Sequence, residues 1–174
     1  LVSSIDILPT ILEVTSIQHP YPLSGKSLLP LLGDPNKPHH SKIFATLNRK
    51  GDLGIEMRSI IRKDYIYIYN KWADGKNQFY DGNYSGGLAL KGFEAAAKRS
   101  DSIRQRLEFF YTRTQEELYR CEQDPNALNN LLDDNGEHPE LPIMRKRMLQ
   151  TLSGNKDPYL GDFQKLLRTM KYEP

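Results

Sequence analysis

The chain has 174 residues, which is enough for one compact domain or a large subdomain. Its 24 basic and 22 acidic residues give a net charge of only +2, so the composition lacks the strong basic bias of a general nucleic-acid binder. The single cysteine, Cys121, excludes a scaffold held by internal disulfides, and no apolar run approaches the ~20 residues that span a membrane.

The first forty residues predict short helices separated by loops. Ser4 or Asp6 can cap a helix that carries Leu8, Ile11 and Leu12 on its apolar positions. The expected elements that follow are a Pro-rich loop over 19–25, a helical turn over 27–32 that ends at Gly33, and a polar loop over 34–41. His39 and His40 lie in this last loop without partners at metal-ligand spacing, so we expect both to be exposed.

A strand over 42–47 is followed by a turn-rich loop and then by two strands, over 57–62 and 65–70, that form a hairpin around Lys63-Asp64. Side chains alternate along a strand, so the tyrosines and isoleucines of YIYIY point to opposite faces. We expect the isoleucine face to lie against the core and the tyrosine face to be half-buried.

The second half of the chain predicts one more strand and several helices. An irregular insertion is expected over 71–92, followed by a helix with Ile103, Leu107 and Phe110 and a strand over 117–121. Asp124-Pro125 is expected to open the next helix. Apolar residues at helical spacing predict two more helices, the first with Leu141, Met144, Met148 and Leu152 and the second with Leu160, Phe163, Leu167 and Met170. Together these elements predict an α+β fold, in which helices pack on a small antiparallel sheet of about four strands.

Three segments, in order, resemble the C-terminal third of the sulfatases, a family of the alkaline-phosphatase superfamily. They are VSSIDILPTILEVTSI with PLSGKSLLPLL at 2–17 and 22–32, MRSIIRKDYIYIYN at 57–70, and EELYRCEQDPNALNNL at 116–131. Between the last two segments the chain has a long aromatic-rich insertion, which is similar to the insertion at this place in the heparan N-sulfatase (sulfamidase) branch. Arg120 and Ala127 depart from the family's usual Asp and Glu.

The resemblance implies an enzyme that hydrolyses sulfate esters or N-sulfate groups, using calcium and a formylglycine made within a C/S-x-P-x-R motif. In the family these groups lie upstream of the segment that resembles residues 2–17, and this chain contains no such motif. We therefore expect no catalytic residue, metal or cofactor in this chain. We expect a fragment with the end of a catalytic α/β domain over 1–41 and a C-terminal subdomain over 42–174.

The expected partners are the N-terminal catalytic domain of the same protein and a sulfated carbohydrate of the glycosaminoglycan type, with no nucleic acid and no membrane span. The family resemblance also implies export from the cytoplasm. Two alternatives remain: a related hydrolase of phosphate or phosphonate esters, and a non-catalytic carbohydrate-binding module. A C/S-x-P-x-R motif upstream would favour the sulfatase.

The remaining role for this chain is to shape the substrate site. The loop over 48–56 links two predicted strands, and in the family the corresponding loop approaches the mouth of the pocket. Asn48, Arg49 and Lys50 suit an anionic sugar, although a solvated turn is the alternative. Arg58 matches the family's hairpin arginine. It contacts the substrate or the catalytic domain in one interpretation and forms a structural salt bridge in the other. The insertion over 71–92 is a second candidate for the rim.

Overall fold

The computed structural model describes residues 1–48, 55–76, 79, 87–133 and 136–170. It is an α+β structure in which helices pack on one four-stranded antiparallel sheet, as the sequence predicted. After a 3-10 turn at Ser4–Asp6, the elements in chain order are α1 Ile7–Val14, α2 Leu29–Gly33, β1 Ile43–Leu47, β2 Met57–Ile61, β3 Tyr65–Asn70, α3 Leu88–Ala97, α4 Asp101–Tyr111, β4 Glu116–Arg120, α5 Leu141–Gly154 and α6 Leu160–Thr169. Within the described ranges, no helix is both long and apolar enough to cross a membrane.

The sheet has the strand order β1-β2-β3-β4, and every neighbouring pair is antiparallel. The hairpin of β2 and β3 confirms the pairing predicted around Lys63-Asp64. Ile60 stands opposite Tyr67 across this hairpin, and Tyr67 stands opposite Leu118 of β4. These three side chains are fully buried, so they define the inner face of the sheet.

The predicted facing of β3 was wrong. Tyr67 and Tyr69 are buried on the inner face, whereas Ile66 and Ile68 are only partly buried on the other face. The reason is that a tyrosine ring fills a core well when its hydroxyl finds a partner. The hydroxyl of Tyr67 donates a short hydrogen bond to the carboxylate of Glu116, and this partner is supplied by another strand.

The inner face packs against α5 and α6. Met144, Met148 and Leu152 of α5 are fully buried in the core, at the helical spacing that the sequence predicted. Phe163 of α6 is also fully buried, and its ring lies 4.9 Å from the ring of Tyr69, centroid to centroid. The helices predicted for the last third of the chain are therefore confirmed.

Two other predicted segments differ. The C-terminal part of the expected insertion forms the helix α3, which packs against α4. The helix expected after Asp124 is replaced by turns in the described residues 124–133. There, the carboxylate of Asp124 accepts hydrogen bonds from the backbone N–H groups of Leu128 and Asn129, and Ala127 has a φ of +49°. A short acidic side chain that satisfies nearby backbone donors in this way favours a turn over a helix.

The two faces of the sheet can be distinguished by one pair of matched substitutions. We expect Ile60→Ala to lower the free energy of unfolding by about 2–5 kcal/mol, because it opens a cavity in the core. Ile68→Ala should cost clearly less, since this side chain is only partly buried. Urea unfolding of the two variants measures both losses, and equal losses would contradict the observed facing.

Candidate functional site

One end of the sheet brings together the segments that the sequence assigned to the substrate rim. Leu47, the last residue of β1, pairs with Met57, the first residue of β2, and Met57 pairs with Asn70, the last residue of β3. The loop over 48–56 and the segment after Asn70 therefore emerge from the sheet side by side. A rigid scaffold that carries neighbouring loops is a common arrangement for a binding site.

Arg58 is the central polar residue at this end, and it is buried. Its Nε donates to Asp157 Oδ2 at 2.7 Å, and its Nη1 donates to Asn48 Oδ1 at 2.7 Å and to the carbonyl of Leu47 at 3.3 Å. Asp157 lies between α5 and α6, so this one guanidinium joins the end of β1 to the helical layer. The structure thus shows an ion pair between Arg58 and a carboxylate, and contact with the substrate or the catalytic domain stays a prediction.

The ring of Tyr159 stacks on the guanidinium of this ion pair. Its ring centroid lies 4.6 Å from the guanidinium carbon of Arg58 and 4.4 Å from the Nζ of Lys71, so two cations stack on one aromatic ring. Burial raises the pKa of the Tyr159 hydroxyl, and its hydrogen bond to the carboxylate of Glu56 raises that pKa further. Lys71 also pairs with Asp162, at 3.3 Å, so the end of β3 is tied to α6.

A small hydrophobic cluster joins the two candidate rim segments. Ile55, from the loop between β1 and β2, is buried with Trp72 and Ala73, which follow β3. Phe79 packs on Trp72, with ring centroids 5.7 Å apart, and on Phe110 of α4, with centroids 5.1 Å apart. The insertion is therefore anchored on one side to the rim loop and on the other to α4.

The four residues predicted for the rim have different positions. Asn48 is exposed at the end of β1, and its side-chain oxygen is held by Arg58. Arg49 and Lys50 lie outside the described residues. Arg58 is buried in β2 and donates to Asn48, the first residue of the loop. Asp157 and Tyr159 were not predicted from the sequence, because both lie about one hundred residues further along the chain and carry no motif of their own.

A second polar cluster lies away from this end of the sheet, and it corrects one prediction. His39 and His40 were expected to be exposed, but their side chains are only 7% and 13% exposed. Both Nε2 atoms meet the carboxylate of Asp6, which is fully buried. No sequence pattern predicts this cluster, because 33 residues separate Asp6 from His39 and only the fold brings them together.

Burial alone would raise the pKa of Asp6, but hydrogen bonds outweigh it. The carboxylate accepts from the backbone N–H groups of Lys26 and Ser3 and lies against the rings of His40 and His39. These contacts hold the pKa of Asp6 well below its usual range. Asp6 is therefore ionised at neutral pH, and it presents a fixed negative charge to the two rings.

Two solved structures share the fold of this chain. One is a 2-O GAG sulfatase, with a TM-score of 0.56 and 20% identity over 88% of this chain. The other is a protein in complex with its substrate, D-glucosamine-2-N,6-O-disulfate, with a TM-score of 0.53 and 14% identity over 88% of this chain. The chain spans only about a quarter of the length of each. No protein-family model and no curated protein match the sequence.

The contribution of the Arg58 ion pair to stability can be compared with that of an ion-paired arginine on the surface. We expect Arg58→Ala to lower the free energy of unfolding by about 3–5 kcal/mol, because it leaves the carboxylate of Asp157 buried without its cation. Arg104 pairs with Asp101 and Glu108 on the exposed surface of α4, so Arg104→Ala should cost only about 0.2–1 kcal/mol. Urea unfolding of both variants measures the difference, and a loss below about 1 kcal/mol for Arg58→Ala would contradict the assignment.

Proposed function

We propose that this chain is the C-terminal subdomain of a sulfatase, and that it shapes the pocket that receives a sulfated glycosaminoglycan-type sugar. The observation that carries the proposal is the match of 88% of the chain to about a quarter of a 2-O GAG sulfatase and of a protein bound to a disulfated glucosamine. The three sequence segments that resemble the C-terminal third of sulfatases support it independently.

The exposed surface of the first helix supports a covering domain. Apolar side chains at this end of the chain are about half exposed, and they are Leu1, Val2, Ile5, Ile7, Leu8, Ile11, Val14 and Ile17. A contiguous apolar surface of this kind marks an interaction site. We assign it to the N-terminal catalytic domain of the same protein, with residues 1–41 as the end of that domain and residues 42–174 as the subdomain.

In this proposal the catalytic groups belong to the other part of the enzyme. Calcium and a formylglycine would there supply the charge that offsets the sulfuryl oxygens and the nucleophile, respectively. We further propose the sulfamidase branch, which acts on N-sulfate groups, and export from the cytoplasm. Both finer proposals rest on the sequence resemblance.

The contribution of this subdomain is a positively charged rim. Arg58 and Asp157 fix the point at which the loop over 48–56 leaves the sheet, so the loop starts from a rigid base. Arg49 and Lys50 follow immediately, and two adjacent cations suit the sulfate or carboxylate of an acidic sugar. Arg58 therefore acts as a positioning residue for the rim.

Because the proposal places the catalytic groups in another part of the protein, we expect the 174-residue chain to have no sulfatase activity by itself. We expect no hydrolysis of an aryl sulfate with or without added calcium, because the chain lacks the motif from which formylglycine is made. A chromogenic aryl sulfate assay on the purified chain measures this. Turnover that co-purifies with the folded chain would contradict the proposal that catalysis resides elsewhere in the protein.

The rim predicts a substrate-dependent effect of Arg49→Ala in the complete enzyme. We expect kcat/KM for a sulfated oligosaccharide to fall about 10-fold, which corresponds to ~1.4 kcal/mol of lost interaction. A small aryl sulfate should be turned over nearly as before, because it does not reach the rim. Steady-state kinetics with both substrates measures the two effects.

The matched control is Arg99→Ala, which removes an exposed arginine at the end of α3. It should leave both substrates unaffected. Equal losses on both substrates with Arg49→Ala would indicate a folding defect, and unchanged kinetics on both would return the loop to the alternative of a solvated turn.

A further inference from the structure

We infer that Asp6, His39 and His40 form a binding site for one zinc ion, separate from the rim and independent of the proposed sulfatase activity. The three side chains offer one carboxylate oxygen and two imidazole nitrogens, and these ligand atoms all lie within 4.8 Å of one another. Imidazole nitrogen and carboxylate oxygen are preferred ligands of Zn²⁺, which takes four ligands in a tetrahedron.

The distances fit a zinc ion after a small adjustment. Zinc ligands lie about 2.0–2.2 Å from the metal, which places neighbouring ligands of a tetrahedron roughly 3.3–3.5 Å apart. The Nε2 of His39 lies 3.2 Å from Asp6 Oδ2, and the Nε2 of His40 lies 2.8 Å from Oδ1 and 3.0 Å from Oδ2. Opening these contacts by about half an ångström accommodates the ion.

The carboxylate is already held in place by groups that metal binding would leave untouched. The backbone N–H of Ser3 donates to Asp6 Oδ2 at 2.8 Å, and the backbone N–H of Lys26 donates to Oδ1 at 2.9 Å. Such outer hydrogen bonds orient a ligating carboxylate. The Nζ of Lys26 also donates to the carbonyl of His39, at 3.3 Å, so the same residue holds both ligand-bearing segments.

Gly25 makes this arrangement possible. A Cβ atom at this position would lie 2.0 Å from the carbonyl oxygen of Ile5, so only glycine allows the backbone to pass there. This close approach is what brings the N–H of Lys26 to the carboxylate of Asp6. The ligand set is thus built into the packing of the chain, and it does not depend on exposed side chains.

The site also has a path to solvent. His40 lines an open cleft of about 430 Å³ together with Ser3, Lys42 and Thr151. An ion can enter from this cleft, and a water molecule from it can complete the fourth position.

Binding requires neutral imidazoles whose Nε2 lone pairs face the metal, so the protons that Nε2 now donates to Asp6 shift to Nδ1 or leave to solvent. The bound ion would fasten the loop before β1 to the start of α1.

The alternative is a cluster held by hydrogen bonds alone, and calorimetry separates the two. Zn²⁺ is titrated into the untagged 174-residue chain carrying Cys121→Ser, which removes the competing thiol. We expect one equivalent to bind, and a zinc-dependent rise in Tm that EDTA reverses. The double variant His39→Gln/His40→Gln should bind more than about 100-fold more weakly, because even outer-shell partners of metal ligands are worth 10–100-fold.

The matched control is His19→Gln/His138→Gln, which removes the other two histidines of the chain and should bind zinc as the parent does. Co²⁺ in place of zinc should give the intense visible absorption of a tetrahedral site, and only in proteins that keep His39 and His40. Lack of a zinc-dependent Tm rise in the parent overturns the proposal without any variant. Retained affinity in the His39/His40 double variant, or equal loss in the control, overturns it as well.

Discussion

The ion pair between Arg58 and Asp157 is the constraint on which the end of the sheet depends. A guanidinium buried in a strand must find its hydrogen-bond acceptors within the fold, since water cannot supply them. Asp157, Asn48 and the carbonyl of Leu47 meet that need from three parts of the chain. The connection between α5 and α6 and the end of β1 are therefore positioned by the same charge.

Two buried carboxylates in β4 connect the sheet to neighbouring segments on both of its faces. Glu116 and Glu117 are neighbours in β4, so their side chains point in opposite directions. On the inner face, Glu116 pairs with Arg145 of α5 and accepts from Tyr67. On the other face, Glu117 pairs with Arg113. Burial raises the pKa of Glu117, whereas Arg113 and hydrogen bonds to its carboxylate oppose that rise. One strand thus fixes structure on both of its sides.

The predictions that held depended on short-range patterns. The spacing of Met144, Met148 and Leu152 identifies a helix face without reference to any other part of the chain. The hairpin of β2 and β3 follows from alternation and a two-residue connection. Such patterns identify elements and pair neighbours, and they were sufficient here to predict the α+β class.

The predictions that failed depended on partners distant in sequence. Hydropathy favoured the isoleucines of β3 for the core, but the hydroxyl of Tyr67 is satisfied by Glu116, 49 residues away. For the same reason, the contacts of His39 and His40 with Asp6 could not be predicted from the sequence. Nor could the contacts of Arg58 with Asn48 and Asp157. A residue's partner in a buried polar contact is set by the tertiary fold, which periodicity does not encode.

The tyrosines of the sheet give the molecule an internal optical signal. Burial raises the pKa of Tyr67, Tyr69 and Tyr119, and nearby carboxylates raise each of them further. These rings therefore resist ionisation in alkaline solution while the sheet stays packed. When the sheet separates from α5 and α6, the inner-face phenols reach water and release their protons. The ultraviolet absorbance of tyrosinate would then record the opening of the core, without any added label.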